Sequence, residues 1–232
     1  VLPMAVELLH GLDPARASQV IAAMPIWTGK EAWQQGHGEA LLPVLTSCSG
    51  IVLPREIICT TATRLDQEGQ ADNAAYMIEL LARCPDAQAE IDQFCAHESS
   101  PLKAGALAAR LLKAGLPTPR DGDVQLWLDN HKREADKPEL AKAVLLTSLS
   151  RLWYGDMLPA EKEQMLAAME EIGATEAACH YRAIASAMDD PETLDKLTEN
   201  SDSWKFELEI ATAEYILRNS AVFLPAAAEI AD

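Results

Sequence analysis

Between Ser100 and Gly115 the chain reads SPLKAGALAARLLKAG, and its only charged residues are Lys103, Arg110 and Lys113. Spacings of seven and three put these three on one narrow stripe of a helix. Leu, Ala and Gly105 fill the rest of the circumference. A helix that is apolar on most sides has to be covered on more than one of them. Ser100 is placed to cap its start, Pro101 suits its first turn, and Gly115 marks its stop, with Pro117 and Pro119 just beyond. The segment is too short and too charged to span a bilayer. The pattern predicts a central helix packed between neighbours.

Helical spacing recurs on both sides of it. Leu2 to Leu12 reads as a helix with Gly11 near its end, and Asp13-Pro14 caps and opens the next, through Met24. Thr28-Gly-Lys-Glu31 has the form of a capping box before Ala32-Trp33, and Gly36-His37-Gly38 breaks that element. Glu39 to Cys48 follows, with Pro43 near its start. Pro54 opens a helix to about Glu68 whose apolar face is Ile57, Ile58, Thr61, Ala62 and Leu65, stopped by Gly69. Asp72 or Asn73 caps the next helix and Pro85 opens another, which carries Ile91 and Phe94. After the central helix, PTPRDGD at 117–123 is a long loop or boundary. Val124 to about Glu134, Pro138 to Leu152, Pro159 to Ile172 and Thr175 to Met188 then read as helices. A short one starts at Asp190-Pro191. A long one starts at Ser201 or Ser203, with a stripe of Trp204, Leu208, Ala211 and Tyr215. No segment alternates with period two between hairpin turns. The expected fold class is all-α, in a single helical domain over 1–232 with a possible internal break at 117–123.

Cys48 and Cys59 are eleven residues apart, as are Cys84 and Cys95, and the two pairs are offset by thirty-six. That offset is close to the length of a helical-hairpin repeat. With serial helices of about ten to sixteen residues, and with Pro54 and Pro85 opening helices, most of the chain resembles a HEAT-like α-solenoid. The resemblance implies antiparallel helix pairs in series and a protein-binding scaffold, because stacked pairs make a long curved surface. A compact irregular helical bundle is the alternative build.

Composition narrows the functions this build allows. Hydrophobic residues make up 49% of the 232 positions and aromatics only 5%, which suits helices packed closely over Ala and Leu. The formal net charge of −17 repels nucleic-acid phosphates and anionic lipid, and attracts a partner with a basic surface. Lys103, Arg110 and Lys113 form the one aligned basic stripe and are expected to pair with acidic residues of a neighbouring helix. Five cysteines without a dense framework fit a reducing, cytoplasmic setting. The chain starts at Val1 rather than Met, which suggests a fragment of a longer protein.

Catalytic signatures are sparse. The sequence has no Walker loop, nucleophile elbow, dinucleotide fingerprint, His-Glu-x-x-His or Cys-x-x-Cys. Glu176 and His180 share a helix face beside Cys179 and would form a possible metal trio; an ordinary i,i+4 surface contact is the simpler reading. His37 on a turn is a candidate acid or base. Asp189-Asp190 and Glu170-Glu171 read as caps and solvated faces, Cys59 and Cys95 as small core hydrophobes. Trp27, Trp33, Trp127, Trp153 and Trp204 lie near helix ends, where they lock ends into a core or anchor a partner. No catalytic, cofactor or metal residue is assigned. The expected function is a cytoplasmic protein–protein interaction scaffold without cofactor, nucleic acid or membrane. A helical enzyme with a groove site, or an accessory domain of a larger enzyme, is the alternative.

Overall fold

The computed structural model describes residues 2–27, 36–48, 50–119, 124–147, 159–187, 190, 192–193, 196–197 and 202–224. Among these residues every regular element is a helix, so the chain is all-α. The capping-box reading at 28–31, Trp33, Leu149, Leu152, Trp153 and Asp189 lie outside the described residues. The chain divides into two compact units, Val1–Lys113 and Ala114–Asp232. The division falls just before the 117–123 loop, of which residues 117–119 are buried.

The first unit begins with α1 (Leu2–Leu12) and α2 (Pro14–Ala22). Asp13 caps α2 by accepting the Arg16 N–H at 3.0 Å, and Pro14 takes the first helical position, where its missing N–H costs nothing. A short 3-10 turn, Pro25–Trp27, buries Trp27, whose Nε1 donates to the Ile21 carbonyl at 2.6 Å. Then come α3 (His37–Ser47), α4 (Arg55–Gln67) and α5 (Ala71–Glu79), the last prolonged by a 3-10 turn over Leu80–Arg83. The unit closes with α6 (Gln88–Cys95) and α7 (Ser100–Lys113).

The central helix is where the pattern placed it. In α7, Leu102, Ala104 to Ala109 and Leu111 are buried, and α7 packs on α4, α5 and α6. Its closest neighbour is α5. Gly105 makes that approach possible: a Cβ there would press into the Ala75 carbonyl oxygen and stand 3.0 Å from the Ala75 Cα. At the far end Gly115 has a φ of +70°, the left-handed conformation a helix stop requires.

Two basic side chains tie the ends of this unit's helices together. Arg83 Nη1 donates to the carbonyls of Leu45, of Cys48 at 2.9 Å and of Ile51 at 3.3 Å, which cover the C-terminal end of α3. Lys113, the last residue of α7, donates through Nζ to Cys84 at 2.8 Å and Pro85 at 3.3 Å, just past the end of the α5 segment. The C-terminal ends of α3, of α5 with its 3-10 turn, and of α7 therefore lie side by side. These three helices run in the same direction, α3 packing on α5 and α5 on α7.

The second unit contains α8 (Val124–Asn130), α9 (Pro138–Thr147), α10 (Pro159–Ile172), α11 (Thr175–Ala187), α12 (Asp202–Arg218) and a last turn, α13 (Ser220–Phe223). Each of α9 to α12 packs on the next, and α12 returns onto α9, so the arrangement closes on itself. Its core gathers Leu146, Met165, Met169, Ile172, Tyr181, Ile184 and Leu208, with Trp204, Ala211 and Tyr215 packed against it. Arg133 ties down the C-terminal turn by donating to the carbonyls of Val222 and Leu224, each at 2.9 Å.

Several helix starts differ from the sequence reading. Ser99, not Ser100, is the cap of α7: its carbonyl accepts the Lys103 N–H at 3.0 Å while its hydroxyl donates to Asp66 at 2.7 Å. Pro85 sits in the turn ahead of α6, which begins at Gln88. Asp72 lies inside α5, which starts from Gln70. Gly36, with a φ of +73°, starts α3, so His37 is its first helical residue and Pro43 lies within it. Thr175 is likewise helical, and the first-turn N–H groups of Glu176 and Ala177 donate to the Glu207 carboxylate from α12 at 3.3 and 2.7 Å.

Candidate functional site

The first unit carries a groove of about 570 Å³ between α4 and α6. It arises because α4 buries only one face. Ile58, Thr61, Ala62 and Leu65 point into the core. Arg55, Glu56, Cys59, Thr60, Thr63, Arg64 and Gln67, adjacent pairs that recur every four residues, line up on the opposite side. From α6 come Glu90, Gln93 and Phe94.

Charge in the groove is arranged at two ends. Arg55 holds one end, with Nη1 3.4 Å from Glu90, Nε 3.6 Å from Glu56 and a donated bond of 3.1 Å to the Asp86 carbonyl. Arg64, nine residues further along α4, holds the other. Among the described residues neither of its terminal nitrogens has a hydrogen-bond acceptor, and Glu68 stands 4.0 Å away. Between them, the Thr60 hydroxyl donates to the Glu56 carbonyl at 2.6 Å and the Thr63 hydroxyl to Cys59 at 2.9 Å. Both hydroxyls are thus spent on their own helix.

The Cys59 thiol is pushed up to about 11, chiefly by burial, with Glu90 adding to the effect. At neutral pH it is a thiol and not the thiolate that attacks carbonyls or binds metals. Among the described residues no histidine lines the groove. Paired charges, the Gln67 and Gln93 amides and the Phe94 ring line the groove. They do not make an activated nucleophile with its base.

The residues the sequence singled out are dispersed. Glu176, Cys179 and His180 share α11, yet His180 turns its ring onto Trp204, with centroids 4.7 Å apart and planes 20° from parallel. Burial pushes its pKa down from the ordinary 6.5. Neither His180 Nε2 nor Trp204 Nε1 has a hydrogen-bond partner among the described residues. Nowhere among the described residues do three or more His, Cys, Asp or Glu side chains come together as a metal site. His37 begins α3 instead of riding a turn. Asp190 accepts two bonds from Thr193, at 3.4 Å from its N–H and 2.7 Å from its hydroxyl, so it acts as a cap. Glu170 pairs with Arg182 at 2.5 Å, and Glu171 with Lys142.

Of the basic stripe, Arg110 pairs with Asp92 of α6 at 2.6 Å, as its spacing predicted, and this contact holds the Asp92 carboxyl below the usual range. Lys113 goes to backbone carbonyls instead. Trp27 is buried, and Trp127 stacks on His131 at 4.2 Å and meets Phe223 edge-on at 6.2 Å. These tryptophans fasten helix ends.

No helix among the described residues is long and apolar enough to cross a membrane. The chain matches no protein-family model, no curated protein and no solved structure. Sequence reading did not find the α4–α6 groove. Its signal in the sequence is the set of polar positions on α4, which marks a face turned from the core but not the α6 side chains that complete a groove with it.

Proposed function

We propose that this chain is a non-catalytic protein–protein interaction scaffold. Residues 1–113 form its repeat-like, HEAT-type part, and the α4–α6 groove is its recognition surface. The observation that carries this reading is the clasp that occurs twice. In each case a basic residue at the end of one helix seizes the carbonyls at the end of its parallel neighbour, first Arg83 on α3, then Lys113 beyond α5. Cys48 and Cys84, thirty-six apart, stand at the two clasped ends, and each is followed eleven residues later by a cysteine of the next helix. The accepting ends recur at thirty-six residues and the basic donors, Arg83 and Lys113, at thirty, an approximate repeat of the kind that stacked helical hairpins would produce.

The groove fits binding better than turnover, because its thiol is protonated and its hydroxyls are committed to the backbone. A partner with a basic surface is favoured by the net charge of −17, and its association would weaken as salt screens that attraction. A setting in the cytoplasm accords with five free thiols and belongs to the same proposal.

The test is affinity capture on the immobilised chain, followed by calorimetry of each identified partner against wild type and Thr63→Arg, Gln93→Arg groove variants. The expected result is a Kd raised at least tenfold by either variant, and raised again by added salt. Undiminished binding to both variants, or substrate turnover by the chain alone, would overturn the reading.

A further inference from the structure

We infer that the α4–α6 groove binds an extended peptide segment of its partner through two charged side chains of that segment, an acidic one on Arg64 and a basic one on Glu90. This rests on the groove being the recognition surface proposed above, and it names what that surface recognises.

The Arg64 end carries the argument. A guanidinium is charged at every ordinary pH and offers donors only. The Arg64 side chain is mostly buried, yet neither terminal nitrogen meets a hydrogen-bond acceptor among the described residues. Glu68, 4.0 Å away, balances part of the charge and is too far to accept a bond. The neighbouring polar groups are committed elsewhere. The Thr60 and Thr63 hydroxyls donate to carbonyls of their own helix, and Arg55 donates to the Asp86 carbonyl. A buried charge without acceptors is poorly satisfied. Both Arg64 nitrogens are shielded from water, so a turn of the side chain, which already lines the groove, is needed to bring them to an anion there. They give up no hydrogen bond in that move.

The Glu90 end is complementary. One carboxylate oxygen of Glu90 faces Arg55 at 3.4 Å, and the other, Oε2, has no hydrogen-bond partner among the described residues. An acceptor left over beside an ion pair suits a second cation. Nine residues of α4 separate Arg55 from Arg64, about 13 Å along the helix, which is roughly four residues of extended chain. The Gln67 and Gln93 amides line the same groove. Each offers a donor and an acceptor to a peptide backbone.

Charge selects a carboxylate over a phosphate. In and beside the groove Glu56, Glu68 and Glu90 stand against Arg55 and Arg64, a net of −1. A phosphate dianion or a polyanion would add to that excess, within a chain whose total is −17. A segment with one acid and one base leaves the balance unchanged. The planar carboxylate also matches the guanidinium fork with two parallel bonds.

Selection of a random peptide library, displayed on phage, against the immobilised full chain tests this. Enriched peptides are expected to hold Asp or Glu and Lys or Arg roughly four positions apart. One of them is then synthesised with its acid and with the matching amide, a change that leaves the protein's fold untouched. In calorimetry the amide peptide is expected to bind wild type about tenfold more weakly. On Arg64→Gln protein the two peptides should bind alike, as a direct pair requires. Neutralising the peptide's base should couple in the same way to Glu90→Gln, and Thr63→Arg should block every peptide. Enriched peptides without an acid overturn the inference, and so does an amide change that costs as much on Arg64→Gln as on wild type. If Thr63→Arg still blocks binding in those cases, the groove remains the recognition surface with a different ligand. Peptides indifferent to Thr63→Arg count against both readings. A selection that enriches nothing overturns the peptide and leaves the groove to a folded partner.

Discussion

Gly105 allows a close approach of two helices in the first unit, since its missing side chain is what lets α7 lie against the Ala75 carbonyl of α5. Gly105→Ala sets two effects against each other. Helix propensity favours Ala by about 1 kcal/mol. Overpacking against an immovable backbone costs about 1–3 kcal/mol, and the obstacle here is a peptide group and not a side chain that can rotate. We expect a net loss on the order of 1–2 kcal/mol, read as a lower urea midpoint. A stabilised variant would mean that α5 and α7 stand further apart.

His180 gives the pH dependence of the second unit. Its pKa is lowered by burial from 6.5, so the unfolded chain takes up the proton more readily than the folded one. Its contribution is therefore fully present above pH 6.5 and is lost as pH falls from 6.5 towards the folded value. In NMR titration the His180 ring should titrate below pH 6.5, and His180→Asn should flatten the fall in stability between pH 7 and 5. A ring titrating above 6.5 would contradict the burial against Trp204. Neither residue's role was legible in the sequence beyond its type. Gly105 could be seen as the odd member of an Ala–Leu surface, but the carbonyl it faces lies thirty residues away. The spacing of His180 points to Glu176, while its actual partner, Trp204, comes from another helix.

Elements are held at their ends. Arg83 closes the carbonyl end of α3, the two N–H groups of its Nη1 shared among the carbonyls of Leu45, Cys48 and Ile51, and its positive charge also suits the negative end of the helix dipole. Arg83→Met keeps much of the stem's packing but leaves those carbonyls without their donor. A loss on the order of 2 kcal/mol is expected, with α3 the first helix to lose protection. Lys113→Met should cost less, because that side chain is exposed and water replaces it. Equal losses at both positions would show that burial does not set the strength of the clasp.

At this scale the sequence was informative about which helices exist and less so about where they begin. Gly69, Gly115 and Gly173 all take the left-handed conformation expected of stops. Starts were harder because several capping residues compete within two or three positions. Ser99 prevailed over Ser100 through its tertiary bond to Asp66, and Pro85 was drawn into a turn instead of a helix. The clasps were invisible, since each joins residues 28 to 38 apart and depends on packing that no local pattern encodes.

The whole molecule is two helical units of different character. Residues 1–113 set α3, α5 and α7 in a row, while α9 to α12 close into a ring. Among the described residues periodicity tells helix from strand but cannot distinguish these two arrangements, because a row and a ring bury the same kinds of faces. The long helix α12 shows the limit. Of its stripe of Trp204, Leu208, Ala211 and Tyr215, Leu208 is buried and the other three are partly buried against the core, while Phe206, Ala213 and Ile216 are buried as well.

The account rests on α7 being sheltered in the first unit. Hydrogen–deuterium exchange of the intact chain tests that most directly. The amides of residues 104–113 should be the slowest of residues 1–113, exchanging only when that unit unfolds globally, with those of α1 far faster. Exchange in α7 as fast as in α1 would contradict the account.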